Sequence, residues 1–123
     1  INPVLVDIQL YGAMCMGLGQ AIFEEQLYND QGRIINGSFR DYKIPTSLDC
    51  PRNEQLVGGI APGIPLRSGP YGAKGIGEVS LVPVMPAIAN AMRAALGIDI
   101  TEIPMTREKI LNAIRAKKAA GAE

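Results

Sequence analysis

Histidine is absent from this chain of 123 residues. That removes the side chain most often used as a general base or metal ligand, and with it every Ser-His-Asp or Cys-His arrangement. Any acid–base chemistry must fall to Glu, Asp, Lys, Tyr or Cys. Cysteine is scarce: Cys15 and Cys50 stand far apart with no C-x-x-C, so neither a zinc site nor an iron–sulfur cluster can be assembled from this chain alone. Two buried free thiols are the simpler reading of the pair, and a disulfide is the other. An excess of charge is also missing, since 12 Lys and Arg balance 12 Asp and Glu. Such a chain has no electrostatic footprint for a polyphosphate backbone or an anionic membrane, which argues against both as partners. Gly, Pro or a charge interrupts every apolar stretch well before the roughly 20 residues of a membrane span. No basic-then-apolar leader opens the chain, so the expected location is soluble and cytoplasmic.

What is present is ordinary for a folding chain: 47% hydrophobic and 20% charged residues, too apolar for a disordered tail. The length allows one core, so residues 1–123 are read as a single partial domain. The opening Ile1-Asn2-Pro3-Val4 reads as the interior of something longer, a split subunit or a fragment.

Apolar residues at Leu10, Met14, Leu18, Ala21 and Ile22 recur at helical spacing and predict a helix from about Gln9 to Gln26. Gly12, Gly17 and Gly19 fall inside it, and tight helix packing is the preferred explanation over approach of a ligand. Leu27-Tyr28, Asn29-Asp30-Gln31-Gly32 and Arg33-Ile34-Ile35 read as a hairpin. Residues 37–70 carry five prolines and predict irregular chain, with one strand near Gln55 to Val57. Val79 to Leu96 is apolar almost all round and predicts a central buried helix, with Ser80 as N-cap, Pro83 and Pro86 in its early turns and Gly97 after its end. Ile98 to Ile103 reads as a short strand. Thr106 then caps a last amphipathic helix with Ile110, Leu111 and Ile114 on its apolar face and Gly121 at its end. Together these give an α+β class, with two or three main helices, a hairpin and short strands, and with Pro-rich connections packing on a neighbour.

The densest unusual feature is Gly72-Ala73-Lys74-Gly75-Ile76-Gly77-Glu78, three glycines in six positions ahead of an acidic residue. Such a loop can press backbone amides against a ligand. Placed at a helix N-terminus, it would favour an anionic group, either a bound phosphate or the Glu78 carboxylate itself. It matches neither G-x-x-x-x-G-K-[ST] nor G-x-G-x-x-G, so a nucleotide P-loop is a poor reading. The bland alternative makes Glu78 a favourable helix-start charge and Lys74 a solvated side chain.

Several segments read together resemble one family. Asn2-Pro3, Gln9-Leu10-Tyr11-Gly12-Ala13, Gly17-Leu18-Gly19-Gln20-Ala21 and Glu24-Glu25 are similar to the helix near the pterin in xanthine dehydrogenases and aldehyde oxidases. Asp41-Tyr42-Lys43-Ile44-Pro45-Thr46, with Asp49 and Pro51, resembles that family's extended segment. The loop 72–78 resembles its G-x-K-G-x-G-E motif. Ala87-Ile88-Ala89-Asn90-Ala91 with Ala95-Leu96-Gly97, and then Ile103-Pro104-Met105-Thr106 through Lys109-Ile110-Leu111, resemble the elements that follow. One such motif is weak evidence, whereas five in the family's order, covering nearly the whole chain, are strong.

The resemblance implies the C-terminal part of a molybdenum-binding subunit. It implies a molybdenum–pterin cofactor that brings its own metal ligands, so no metal-ligating residue is expected here. Glu78 is then the general base in oxidative hydroxylation of an aldehyde or N-heterocycle, with Gln9, Lys74, Gly75 and Gly77 close to the cofactor. A carboxylate in a water-poor site has its pKa raised, and a helix N-terminus would partly oppose that shift. The implied partners are the remainder of the subunit and iron–sulfur and FAD-bearing subunits or domains, and the isolated chain is expected to be inactive. The competing expectation is a catalytically silent piece that pairs with a copy of itself through the apolar helix 79–96.

Overall fold

The computed structural model describes residues 2–121, which leaves the opening Ile1 outside the described residues. The first helix, α1 (Pro3–Leu18), starts six residues before the apolar stripe suggests. Asn2 decides this: its Oδ1 accepts from the Leu5 amide at 3.2 Å, and Pro3 fills the first helical position, where a missing N–H costs nothing. The helix then widens rather than running on to Gln26. Residues Gly19–Phe23 form a π turn, closed by the Glu24 amide donating to the Gly19 carbonyl at 2.9 Å.

The second helix, α2 (Val84–Leu96), begins five residues later than expected. Pro83 disfavours helical geometry at Val82, so residues 78–84 form successive turns, with the Leu81 amide on the Glu78 carbonyl and the Val84 amide on the Leu81 carbonyl. Ser80 is therefore no cap; its hydroxyl oxygen is buried without a partner. Gly97 ends α2 in the left-handed region at φ 62°, its amide donating to Arg93. The expectation of a buried helix fails. Val84, Met85, Ile88, Ala89 and Met92 form one half-buried stripe, while Ala91, Ala94 and Ala95 on other faces are exposed.

The third helix, α3 (Arg107–Ala120), has the expected ends: Thr106 Oγ1 accepts from the Lys109 amide at 3.3 Å, and the Gly121 amide caps the last carbonyls. Lys117 Nζ donates to the Leu96 carbonyl at 2.8 Å, so the end of α3 also satisfies the end of α2.

No strand occurs among the described residues, so the α+β class and its hairpin are not supported; the architecture is three helices joined by long loops. The chain does reverse at Asn29, with a single antiparallel bridge between Tyr28 and Ile34. Side chains take the place of a ladder there. Asn29 Oδ1 accepts from the amides of Gln31 and Arg33, and buried Asn36 bridges the Leu27 amide and the Glu25 carbonyl. Near Gln55 a short 3₁₀ turn, Asn53–Gln55, replaces the expected strand. Residues 98–103 find no ladder partner and lead into Met105, whose amide donates to the Ala21 carbonyl.

The packing reading holds for Gly17, which brings α1 against α2, and for Gly19, which brings the π turn against Pro45, but not for Gly12, whose Cβ would meet nothing within 4 Å. A Cβ on Gly17 would lie 2.5 Å from Val84 Cβ, and one on Gly19 would lie 2.9 Å from Pro45 Cδ. The buried apolar residues are few: Ala13, Ala21, Ile98 and Met105. The accessible surface is 9646 Å², about one and a half times the roughly 6,400 Å² expected of a compact monomer of this mass. Many large apolar side chains are exposed, among them Phe39 at 97%, Leu48 at 95% and Val57 at 89%. Uncovered apolar surface on this scale marks a docking face.

Candidate functional site

One face of α1 supplies the floor of the site. Gln9, Gly12, Ala13 and Met16 recur at three- and four-residue spacing and so align along the helix, with Ile8 beside them. Opposite stands the glycine loop. Its base is fixed by backbone geometry: Tyr71 and Gly72 both take positive φ, 54° and 76°, and Leu66 donates to the Gly72 carbonyl at 3.0 Å. A Cβ on Gly72 would lie 2.6 Å from Pro65 Cβ, so glycine is required there on two counts.

Gln9 joins floor and loop. Its Nε2 donates to the Gly77 carbonyl at 2.8 Å, which places the peptide before Glu78 against the helix. Gln9, Gly77 and Glu78 line one cavity of about 340 Å³ together with Gly12, Met16 and Leu81. Of the residues singled out in the sequence, these three are brought together.

Lys74 and Gly75 are not brought into that cavity. They line a neighbouring one of about 880 Å³, between the first turn of α1 at Asn2, Leu5 and Val6 and the segment 59–65. The loop therefore presents two faces, Lys74 and Gly75 to one side and Gly77 and Glu78 to the other. Met16 and Leu81 escaped the sequence reading, and Gly12 was read there as a helix-packing residue; Gly12 and Met16 follow from projecting helical spacing from Gln9.

Two electrostatic expectations for Glu78 are corrected. Since α2 starts at Val84, Glu78 lies more than a turn ahead of the helix, beyond the reach of its terminal amides. Its side chain is exposed in this chain rather than held in a water-poor pocket. Among the described residues no donor engages its carboxylate, so both oxygens remain available as acceptors.

The cavity suits a cofactor that carries its own metal ligands. Among the described residues no group of three or more His, Cys, Asp or Glu side chains is placed to ligate a metal. What the cavity offers is open backbone, because a Cβ at Gly12 or Gly77 would meet nothing within 4 Å. Gln9 retains its Oε1 and one N–H for a further partner after bonding Gly77. Peptide edges, an amide and a carboxylate around open space fit a flat heterocycle with many donors and acceptors.

A third cavity, about 330 Å³, lies between the π turn and the segment before α3 and is lined in part by Glu24 and Tyr42. The Tyr42 hydroxyl donates to Glu24 Oε2 at 2.9 Å, and this bond to a carboxylate raises the phenol above its ordinary pKa. No helix is long and apolar enough to cross a membrane among the described residues.

The family described as the molybdopterin cofactor-binding domain matches residues 1–51, a range that includes Gln9 and stops short of Glu78. The putative xanthine dehydrogenase molybdenum-binding subunit XdhA of Escherichia coli K12 is 35% identical over 111 residues, 89% of this chain and 14% of that protein. The aldehyde oxidoreductase molybdenum-binding subunit PaoC of the same organism is 37% identical over 113 residues, 91% of this chain and 15% of that protein. The crystal structure of quinoline 2-oxidoreductase from Pseudomonas putida 86 superposes with a TM-score of 0.80 at 32% identity, covering 94% of this chain and 14% of that one. The chain thus spans about one-seventh of the length of these relatives. With the match running through helices, loops and both faces of the glycine turn, the chain belongs to the molybdenum-binding subunits of the xanthine dehydrogenase/aldehyde oxidase family, of which it represents a short segment.

Proposed function

We propose that this chain forms one wall of the molybdenum–pterin site of a hydroxylase acting on an aldehyde or N-heterocycle, with Glu78 as its general base. The observation that carries the reading is the convergence of Gln9, Gly77 and Glu78 on one cavity. When bound, the cofactor supplies the two-electron redox couple and the oxygen chemistry of hydroxylation. Glu78 takes a proton from the attacking oxygen nucleophile through a carboxylate oxygen that no other side chain occupies. Gln9 fixes the Gly77 peptide and offers its remaining amide atoms to the cofactor edge, while the Gly75 and Gly77 backbones allow close approach. Lys74, on the loop's other face, contributes positive charge toward the 880 Å³ cavity and the far side of the same cofactor.

The remainder of the subunit covers the exposed apolar surface and supplies the other walls. Iron–sulfur and FAD-bearing partners carry electrons away from the site. In this reading the high exposure of Glu78 belongs to the uncovered segment, and packing of the remaining residues over the loop dries the site. The test is Glu78→Gln in the assembled enzyme. Turnover should fall by about 10²–10⁴-fold while molybdenum and pterin content stay at the wild-type level. Unchanged turnover removes Glu78 from the chemistry.

A further inference from the structure

The segment 45–58 runs antiparallel along α1. At one end Pro45 sits against Gly19, and at the other Gly58 sits against Leu10 and Tyr11. Cys50 falls between these anchors on the segment, and Cys15 falls between them on the helix. Both thiols are free and half-buried. The sequence expectation of two buried thiols gives way to two partly accessible thiols at matching positions between the two anchors.

We propose that Cys15 and Cys50 form a thiol–disulfide exchange site that reacts with low-molecular-weight disulfides of the glutathione type and closes to an intramolecular disulfide. This reading is independent of the role given to Glu78. In the first step the Cys15 thiolate attacks one sulfur of glutathione disulfide, forming a mixed disulfide and releasing one glutathione thiolate. In the second step the Cys50 thiolate attacks the Cys15 sulfur and releases the second glutathione. Two protein thiols are oxidised, one glutathione disulfide is reduced to two glutathiones, and the protons pass to solvent or to the released thiolates.

The order of attack follows from the environment of Cys50. Its thiol is pushed up to about 11, first by the hydrogen bond to Cys15, then by burial and by the negative charges of Cys15 and Asp49. A thiol so rarely ionised is a poor first nucleophile. Capping Cys15 removes its negative charge and the hydrogen bond to its thiolate, so Cys50 becomes competent only after the first step has placed its target beside it. The product tethers the 45–58 segment to the helix that also carries Gln9.

The experiment exposes the full chain to glutathione disulfide, quenches by alkylation and measures mass. Wild type should lose two hydrogens with no glutathione retained. Cys50→Ser should accumulate one glutathione on Cys15, and Cys15→Ser, which removes the charge and hydrogen bond that hold the Cys50 thiol up, should accumulate one glutathione on Cys50. Iodoacetamide should alkylate Cys50 in the wild type at least about tenfold more slowly than a free cysteine thiol, and concentrated urea should abolish that difference. Glutathione retained on the wild type with no intramolecular disulfide, or cross-linking only between chains, would overturn the proposal. Serine keeps the size of cysteine, and circular dichroism of each variant separates loss of reactivity from loss of fold.

Discussion

The Gln9 side chain donates to the Gly77 carbonyl across 2.8 Å, tying the second turn of α1 to a loop 68 residues further along the chain. Glu78 follows directly, so the placement of its carboxylate depends on a bond made by a residue with no part in the proposed proton transfer. Replacing Gln9 by Ala leaves the Gly77 carbonyl without its partner and the loop free to shift. A misplacement of about 1 Å costs on the order of 10²-fold in rate. The assembled Gln9→Ala enzyme should therefore lose about 10–100-fold in kcat/KM, with Gln9→Asn, one methylene shorter, only partly restoring it. Wild-type kinetics in Gln9→Ala would show that the loop holds its position without this bond.

Gly17 and Gly12 share a helix yet should respond oppositely to alanine. At Gly17 the new methyl collides with Val84 at the α1–α2 contact, and overpacking of this kind destabilises by about 1–3 kcal/mol. Val84→Ala should relieve part of that loss in the double variant. At Gly12 the methyl enters open space, and the gain in helix propensity is about 1 kcal/mol. The same methyl projects into the cavity beside Glu78, so Gly12→Ala should raise the thermal midpoint while lowering pterin content or turnover.

Asp49 carries a testable acid dependence. The Thr46 amide and hydroxyl both donate to Asp49 Oδ2, at 2.8 and 2.7 Å, and hold its carboxyl below the usual 3.8. A depressed carboxylate pKa contributes stability that is present above the unfolded value and is lost as pH falls through the folded one. NMR titration should place the Asp49 midpoint below 3.8, and Thr46→Val should move it back up. An Asp49 midpoint unaffected by Thr46→Val would remove the hydroxyl as a cause.

The uncovered apolar surface predicts the behaviour of the chain by itself. Exposed Phe39, Leu48 and Val57 should make the isolated chain bind a hydrophobic dye and associate with itself in sedimentation experiments. Adding the remainder of the molybdenum subunit should suppress both. A discrete, metal-free oligomer that persists in the presence of that remainder would favour a structural, self-associating role instead.

Local sequence marked many element ends correctly. Thr106 and Gly121 bracket α3, and Gly97 ends α2, because capping and left-handed conformations depend on the residue itself and its immediate neighbours. Starts were harder to read. Asn2 and Pro3 begin α1 outside its apolar stripe, and Pro83 delays α2 beyond an unbroken apolar run. The expected strands do not appear among the described residues for a different reason: β structure needs a partner, and Asn29 and Asn36 satisfy the backbone of the reversal locally.

The order of motifs along the chain was enough to identify the family and single out Glu78, because spacing and residue type are properties of the string. Which glycine packs a helix, which opens a cavity, and which loop residues share a cavity with Gln9 were decided only in three dimensions. Gly17 and Gly12 look alike on paper, but one meets Val84 and the other meets empty space. Likewise Lys74 and Glu78 lie four residues apart yet border different cavities, since the direction of each peptide is set by contacts with residues remote along the chain.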